Sequence, residues 1–181
     1  MVVSGCQDKL VRVWSFPAGG LIFSTFAKDI IEHPCVELEG HQGSVWSVAL
    51  SGDAKRCVSG GGWGDASVIV WDLETAQQLH RFLVPADPSR GLDAVLYVDS
   101  VAVDSSGSMV LSGSSDGILR VYDLSQNLEQ GPETLSGHED RITAIDLSSD
   151  LKTIATTSAD CTVRLWDLES KTCRGTITAR E

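Results

Sequence analysis

Four times along this chain an Asp is followed, six residues later, by a large aromatic side chain that closes a short apolar run. The pairs are Asp8 with Trp14, Asp65 with Trp71, Asp116 with Tyr122, and Asp160 with Trp166. They lie in the segments VVSGCQDKLVRVWS, CVSGGGWGDASVIVWD, MVLSGSSDGILRVYD and IATTSADCTVRLWD. The internal spacing holds while successive Asp residues stand 57, 51 and 44 positions apart. Self-similarity at this period marks a repeat architecture, in which no unit can bury its apolar face alone and each leans on its neighbours.

The last copy, GHEDRITAIDLSSDLKTIATTSADCTVRLWDLESKTCRGTI, is the most complete. Residues 142–147 alternate around Ile142, Ile145 and Leu147, and SSD then turns the chain. Residues 153–157 and 162–166 are rich in Thr, Val, Ile and Leu, with SAD between them as a tight hairpin turn. A more polar strand is expected near 172–178. No window carries a 3.6-residue apolar period, so very little helix is expected.

The GH that opens the copy, the Asp in the hairpin turn and the closing WD resemble the WD-repeat family, whose members are β-propellers of four-stranded blades. The resemblance covers nearly the whole chain. It implies an all-β, partial β-propeller of four-stranded antiparallel blades, with three complete blades and one lacking its inner strand. The expected boundaries are 1–26 for the partial first blade, 41–83 for the second, 94–135 for the third and 138–178 for the fourth, within a single domain 1–181.

In that family a His, a strand hydroxyl, the turn Asp and the strand Trp form a buried hydrogen-bonded tetrad. The resemblance assigns these roles to His138, Thr156, Asp160 and Trp166 in the last blade, and to His41, Ser59, Asp65 and Trp71 in the second. The third copy offers Ser112, Asp116 and Tyr122, but Ala94 stands where the His is expected. The first offers Ser4, Asp8 and Trp14; its His position would precede Met1, and Ser15 replaces the Asp of the WD pair. Ser, His and Asp together also suggest a hydrolase triad. Repetition argues against that, because an enzyme needs one activated nucleophile, and no G-x-S-x-G elbow is present.

In WD-repeat propellers the loop leading into each blade and the Asp turn share one face. Here the long segments 27–40 and 84–93 and the enlarged turn 60–64, GGGWG, are assigned to that face. The family uses positions three and five after the His and one before the Asp. These become Ser44, Trp46 and Gly64; Tyr97, Asp99 and Ser115, counted from Ala94; Arg141, Thr143 and Ala159; and Gln7. Trp, Tyr and Arg dominate interface energetics, so Trp46, Tyr97, Trp63 and Arg141, with Asp99 and Ser44, are the candidate partner contacts. Trp46 and Tyr97 packing against neighbouring blades is the alternative.

The chain carries 14 basic and 25 acidic side chains and a net charge of −11, which disfavours direct nucleic-acid binding. The start, MVVSGCQDK, has no basic n-region followed by an apolar h-region, and no apolar run reaches the roughly 20 residues of a membrane span. Five cysteines without a C-x-x-C pair suggest reduced thiols in the cytoplasm or nucleus, with no metal site and no cofactor expected. Four copies fall short of the roughly 300 residues of a seven-bladed ring. Three readings follow: a piece of a longer propeller, completion by another chain or a second copy, or a closed four-bladed ring. The function expected is that of an interaction scaffold or adaptor for proteins or peptides. A recognition subunit of a ubiquitin-ligase or chromatin complex is the alternative, and a hydrolase the rival from another class.

Overall fold

The computed structural model describes residues 1–14, 35–85, 96–126, 128 and 131–178. Among them there is no α-helix, and fifteen strands form one three-stranded and three four-stranded antiparallel sheets. The first blade is β1 (Val2–Gly5), β2 (Val11–Trp14) and β3 (Cys35–Leu38). The second runs β4 (Val45–Leu50), β5 (Arg56–Gly61), β6 (Ser67–Asp72) and β7 (Gln77–Leu83). The third contains β8 (Val98–Val103), β9 (Met109–Ser114), β10 (Leu119–Asp123) and β11 (Glu133–Leu135). The fourth has β12 (Ile142–Leu147), β13 (Thr153–Ser158), β14 (Thr162–Asp167) and β15 (Thr172–Thr178). Strand order within each sheet follows chain order, as expected for blades of a propeller.

The repeated Asp shapes its own turn before it does anything else. Asp8, Asp116 and Asp160 each accept a hydrogen bond through Oδ1 from the backbone N–H two residues on, at 3.2, 3.0 and 2.9 Å. The intervening residues, Lys9, Gly117 and Cys161, have φ of 75°, 75° and 65°, the left-handed region such a turn requires. Central strands such as SVIVWD of β6 are buried along nearly their whole length, so they read as continuous apolar runs rather than alternating ones. The outer strand β15 is exposed throughout.

Blades meet along three apolar seams. Val11, Val13, Leu38, Val45, Cys57, Ile69 and Trp71 fill the one between the first and second blades. The next seam is sealed by Tyr122, and the last by Trp166. Each closing aromatic thus caps the junction with the preceding blade, and these three are the largest fully buried side chains. Burying one removes about 150–250 Å² from water, on the order of 4–6 kcal/mol.

The expected loop 27–40 needs correction at its C-terminal part. Cys35–Leu38 is a strand, pairing antiparallel with β2 from Val11↔Leu38 to Trp14↔Cys35, and so the outer strand of the first blade lies beyond residue 26. A sequence of only four residues, CVEL, between two polar stretches gives no alternation long enough to be read as a strand. Residues 27–34 of that loop, 86–93 of the second long loop, Ser15 and Ala94 lie outside the described residues.

Candidate functional site

Two polar networks and one aromatic surface concentrate the expected residues. In the second blade His41 Nδ1 lies 2.6 Å from Asp65 Oδ2 and His41 Nε2 lies 2.6 Å from Ser59 Oγ. Trp71 Nε1 donates to the same Ser59 oxygen at 2.8 Å. The fourth blade repeats the arrangement, with His138 at 2.9 Å from Asp160 and 2.8 Å from Thr156, and Trp166 Nε1 at 2.8 Å from Thr156 Oγ1. The backbone amides of Gln42 and Glu139 also donate to the two carboxylates, tying the loop before each inner strand to the Asp turn.

Burial works to raise the Asp65 pKa. The His41 and Ser67 hydrogen bonds, the Gln42 amide and the His41 charge outweigh it and hold the carboxyl well below its ordinary range. Asp160 behaves alike: burial opposes, while Thr162, the Glu139 amide and His138 prevail.

Asp–His–Ser in this order is also the hydrogen-bond order of a hydrolytic triad. Ser59 is fully buried, however, and its oxygen already receives the Trp71 N–H. A substrate carbonyl has no approach to it. These contacts satisfy buried polar groups and pin turn to strand.

The third blade solves the same problem with different atoms. Arg120 donates from Nη2 to Asp116 Oδ2 at 2.6 Å, and from Nη1 to Asp116 Oδ1 at 3.2 Å and Ser114 Oγ at 2.7 Å. Ser112 Oγ and Tyr122 Oη are buried with no partner in hydrogen-bonding geometry among the described residues. Burial raises the Tyr122 pKa, with the nearby Ser112 hydroxyl opposing. In the first blade Arg12 takes the partly exposed Asp8 at 2.7 Å, and Trp14 Nε1 reaches Ser4 Oγ at 3.3 Å. Arg12 and Arg120 both stand four residues after the Asp. Sequence reasoning passed over them, although an Arg at this offset in the copies lacking a described His was a usable signal.

The aromatic surface gathers Trp46, Trp63 and Tyr97 from three separate segments. Ring centroids lie 5.9 Å apart for Trp46 and Trp63, 4.9 Å for Trp46 and Tyr97, and 6.4 Å for Trp63 and Tyr97, with tilted or edge-on planes. Trp46 remains 40% exposed and Trp63 66% exposed.

Local backbone explains the assembly. The inner strands β4, β8 and β12 each carry a β-bulge, and the unpaired residues are Trp46, Asp99 and Thr143. A bulge re-aims its side chain away from the regular pleat, so in the three blades with a described inner strand the residue five after His41, Ala94 or His138 leaves the strand's alternation. The enlarged turn folds back over β4, with Gly62 N–H donating to the Ser44 carbonyl at 2.6 Å. A Cβ on Gly62 would lie 2.5 Å from the Trp46 ring, so only glycine lets that ring rest on the turn and meet Trp63. Ser44 therefore contributes its carbonyl to the turn.

Asp99 and Arg141 extend this surface toward the fourth blade. Arg141 Nη1 is 3.8 Å from Asp99 Oδ1, longer than a hydrogen bond. Burial pushes the Asp99 pKa up; the Arg141 charge works against that and the Asp140 charge adds to it.

A family model described as "WD domain, G-beta repeat" matches residues 32–72, 93–123 and 132–167, more than half of the chain. The chain belongs to the WD-repeat family. Two of its matched WD units straddle blades: 32–72 includes the outer strand β3 and then three strands of the next blade, and 132–167 includes β11 and then β12 to β14. Similar proteins include a guanine nucleotide-binding protein subunit beta of Oryza sativa subsp. indica, 29% identical over 92% of this chain and 40% of the relative. The serine-threonine kinase receptor-associated protein of Gallus gallus is 33% identical over 74% of this chain and 34% of its own length. The small ribosomal subunit protein RACK1y of Oryza sativa subsp. japonica is 26% identical over 91% of this chain and 43% of its own. The chain spans less than half the length of these WD-repeat relatives. Among the described residues no helix is long and apolar enough to cross a membrane.

Proposed function

We propose that this WD-repeat chain is a non-catalytic interaction scaffold in the cytoplasm or nucleus, and that it captures partner proteins or peptides through Trp46, Trp63 and Tyr97. The observation that carries the reading is the convergence of two exposed rings, Trp46 and Trp63, with the half-buried Tyr97 at the seam between the second and third blades. Rigid aromatic side chains bury large area at low entropic cost, and they are over-represented among residues that dominate binding energy. Trp46 stands on the bulge of β4, Trp63 lies in the glycine turn that folds back over it, and Tyr97 directly precedes β8, so the rings are anchored to the sheets they border. The names of two relatives, a protein subunit and a receptor-associated protein, describe molecules that work in assemblies.

The test is affinity capture with the tagged chain, quantified by mass spectrometry, against a Trp46→Ala/Tyr97→Ala double variant. The double variant should lose specific partners by about tenfold or more, since anchors of this type contribute 2 kcal/mol or more each. Its circular dichroism and melting temperature should stay near wild type. Recovery of the same proteins at equal abundance would remove this face from consideration.

A further inference from the structure

Asp99 holds a carboxylate oxygen that nothing in the described structure satisfies. Its Oδ2 is buried without a hydrogen-bond partner, its side chain is only 12% exposed, and the Arg141 guanidinium stands at 3.8 Å from the other oxygen. A buried polar atom left unpaired costs on the order of 1–3 kcal/mol, and more when charged, so its persistence in a binding face asks for a donor from outside. The neighbours narrow the kind of donor. Asp99 is the bulge residue of β8, two positions after Tyr97, whose ring packs against both Trp46 and Trp63. Asp140 is close enough to add its negative charge to the site, leaving Asp99 and Asp140 against the single described cation Arg141. The chain as a whole carries −11.

We propose that the partner delivers an arginine side chain to this face, its guanidinium stacked on the exposed Trp63 ring and forked onto Asp99. This rests on the docking face argued above and adds the chemistry of what docks. A planar guanidinium matches both requirements at once: it stacks on an aromatic face, and it offers paired N–H groups to a carboxylate. A lysine ammonium supplies charge but neither the plane nor the fork. Arg141 does not fill this role itself, because its distance leaves Oδ2 without a donor.

The experiment titrates the purified chain with acetyl-Gly-Arg-Gly-amide, following tryptophan fluorescence, with the citrulline and lysine peptides of the same length as controls. Citrulline keeps the shape and removes the charge. The arginine peptide should bind at least about tenfold more tightly than the citrulline peptide and more tightly than the lysine peptide. Asp99→Asn should remove about tenfold of that preference, and Trp63→Ala should weaken the arginine peptide by several-fold. Asp99→Asn relieves a buried charge, so its melting temperature should not fall, and lost binding cannot be laid to unfolding. Equal binding of arginine and citrulline peptides, or an unchanged preference in Asp99→Asn, overturns the arginine assignment. If that happens while Trp46→Ala/Tyr97→Ala still abolishes partner capture, the docking face stands and only its ligand chemistry is wrong.

Discussion

Arg120 grips Asp116 with both ends of its guanidinium, at 2.6 and 3.2 Å, and the two side chains are 3% and 1% exposed. In the second and fourth blades the corresponding Asp is held by a His. A bidentate pair can replace that contact because the strand offset of four residues brings the arginine back over its own turn. The replacement is not equivalent: Arg120 Nε and the hydroxyls of Ser112 and Tyr122 are left buried without partners among the described residues. Arg120→Leu should destabilise the protein by about 3–5 kcal/mol, because it strands a buried carboxylate. Arg120→Lys should recover only part of that loss, since an ammonium lacks the fork. Urea denaturation at neutral pH reads both; a cost under about 1 kcal/mol for Arg120→Leu would mean that Asp116 is held by its turn alone.

What could be read in the sequence was whatever repeats with fixed spacing. The six-residue step from Asp to aromatic locates a hairpin and the central strand after it, and the closing WD and opening GH supply the rest of a blade. Trp46 and Tyr97 could be named as surface candidates by counting from the His position, and Trp63 by its place in the enlarged turn. Their meeting could not be foreseen, because it depends on the turn folding back over Gly62. Arg120 was missed because it substitutes across residue types; Arg164 at the same offset shows why the residue alone is ambiguous. There the His is present, and the guanidinium lies 3.9 Å from Cys173 Sγ instead. The strand Cys35–Leu38 was missed because four residues carry too little pattern against the pull of a neighbouring sheet edge.

Trp71 and Trp166 combine seam-filling with a hydrogen bond, and the two contributions can be separated. Either residue replaced by Ala should cost about 3–5 kcal/mol, from the cavity and the hydroxyl left with one partner fewer. Trp166→Phe keeps most of the apolar volume and removes only the N–H to Thr156, so about 1–2 kcal/mol is expected. Calorimetric melting of the two variants should therefore give clearly different shifts. Indistinguishable shifts would assign nearly all the effect to the lost bond.

Two serines couple the blades at their inner strands. Ser47 Oγ accepts the Val101 N–H at 3.0 Å, and Ser100 Oγ accepts the Ile145 N–H at 3.2 Å. Each Ser directly follows a bulge residue, Trp46 or Asp99, so the device that re-aims that side chain also sits where its blade is tied to the next. Ser47→Ala should raise the exchange rate of the Val101 amide by about 5- to 30-fold, corresponding to roughly 1–2 kcal/mol, and leave Ile145 unchanged. Ser100→Ala should do the reverse. Equal acceleration at both amides in either variant would show that the seams open together rather than one at a time.

Acid should weaken the fold through Asp65 and Asp160. For each, burial works to raise the pKa, but the hydrogen bonds from the histidine, hydroxyl and backbone partners lower it further, to well under the ordinary 3.8. A group whose pKa is depressed by folding stabilises the native state at pH above its unfolded value. As pH falls, the unfolded chain takes up protons first, so stability begins to decline below about pH 5 and continues down toward the folded pKa. Each carboxyl adds at most about 1.4 kcal/mol per pH unit to the slope in that window. Asp160→Asn lowers stability at pH 7 by disturbing His138 and the turn, yet it removes one titrating group. Its urea midpoint should therefore fall less steeply than the wild type between pH 5 and pH 3, so that the two curves converge in acid. Parallel curves through this range would mean that Asp160 titrates alike in the folded and unfolded chains, and that its short contacts carry no net preference for the ionised form.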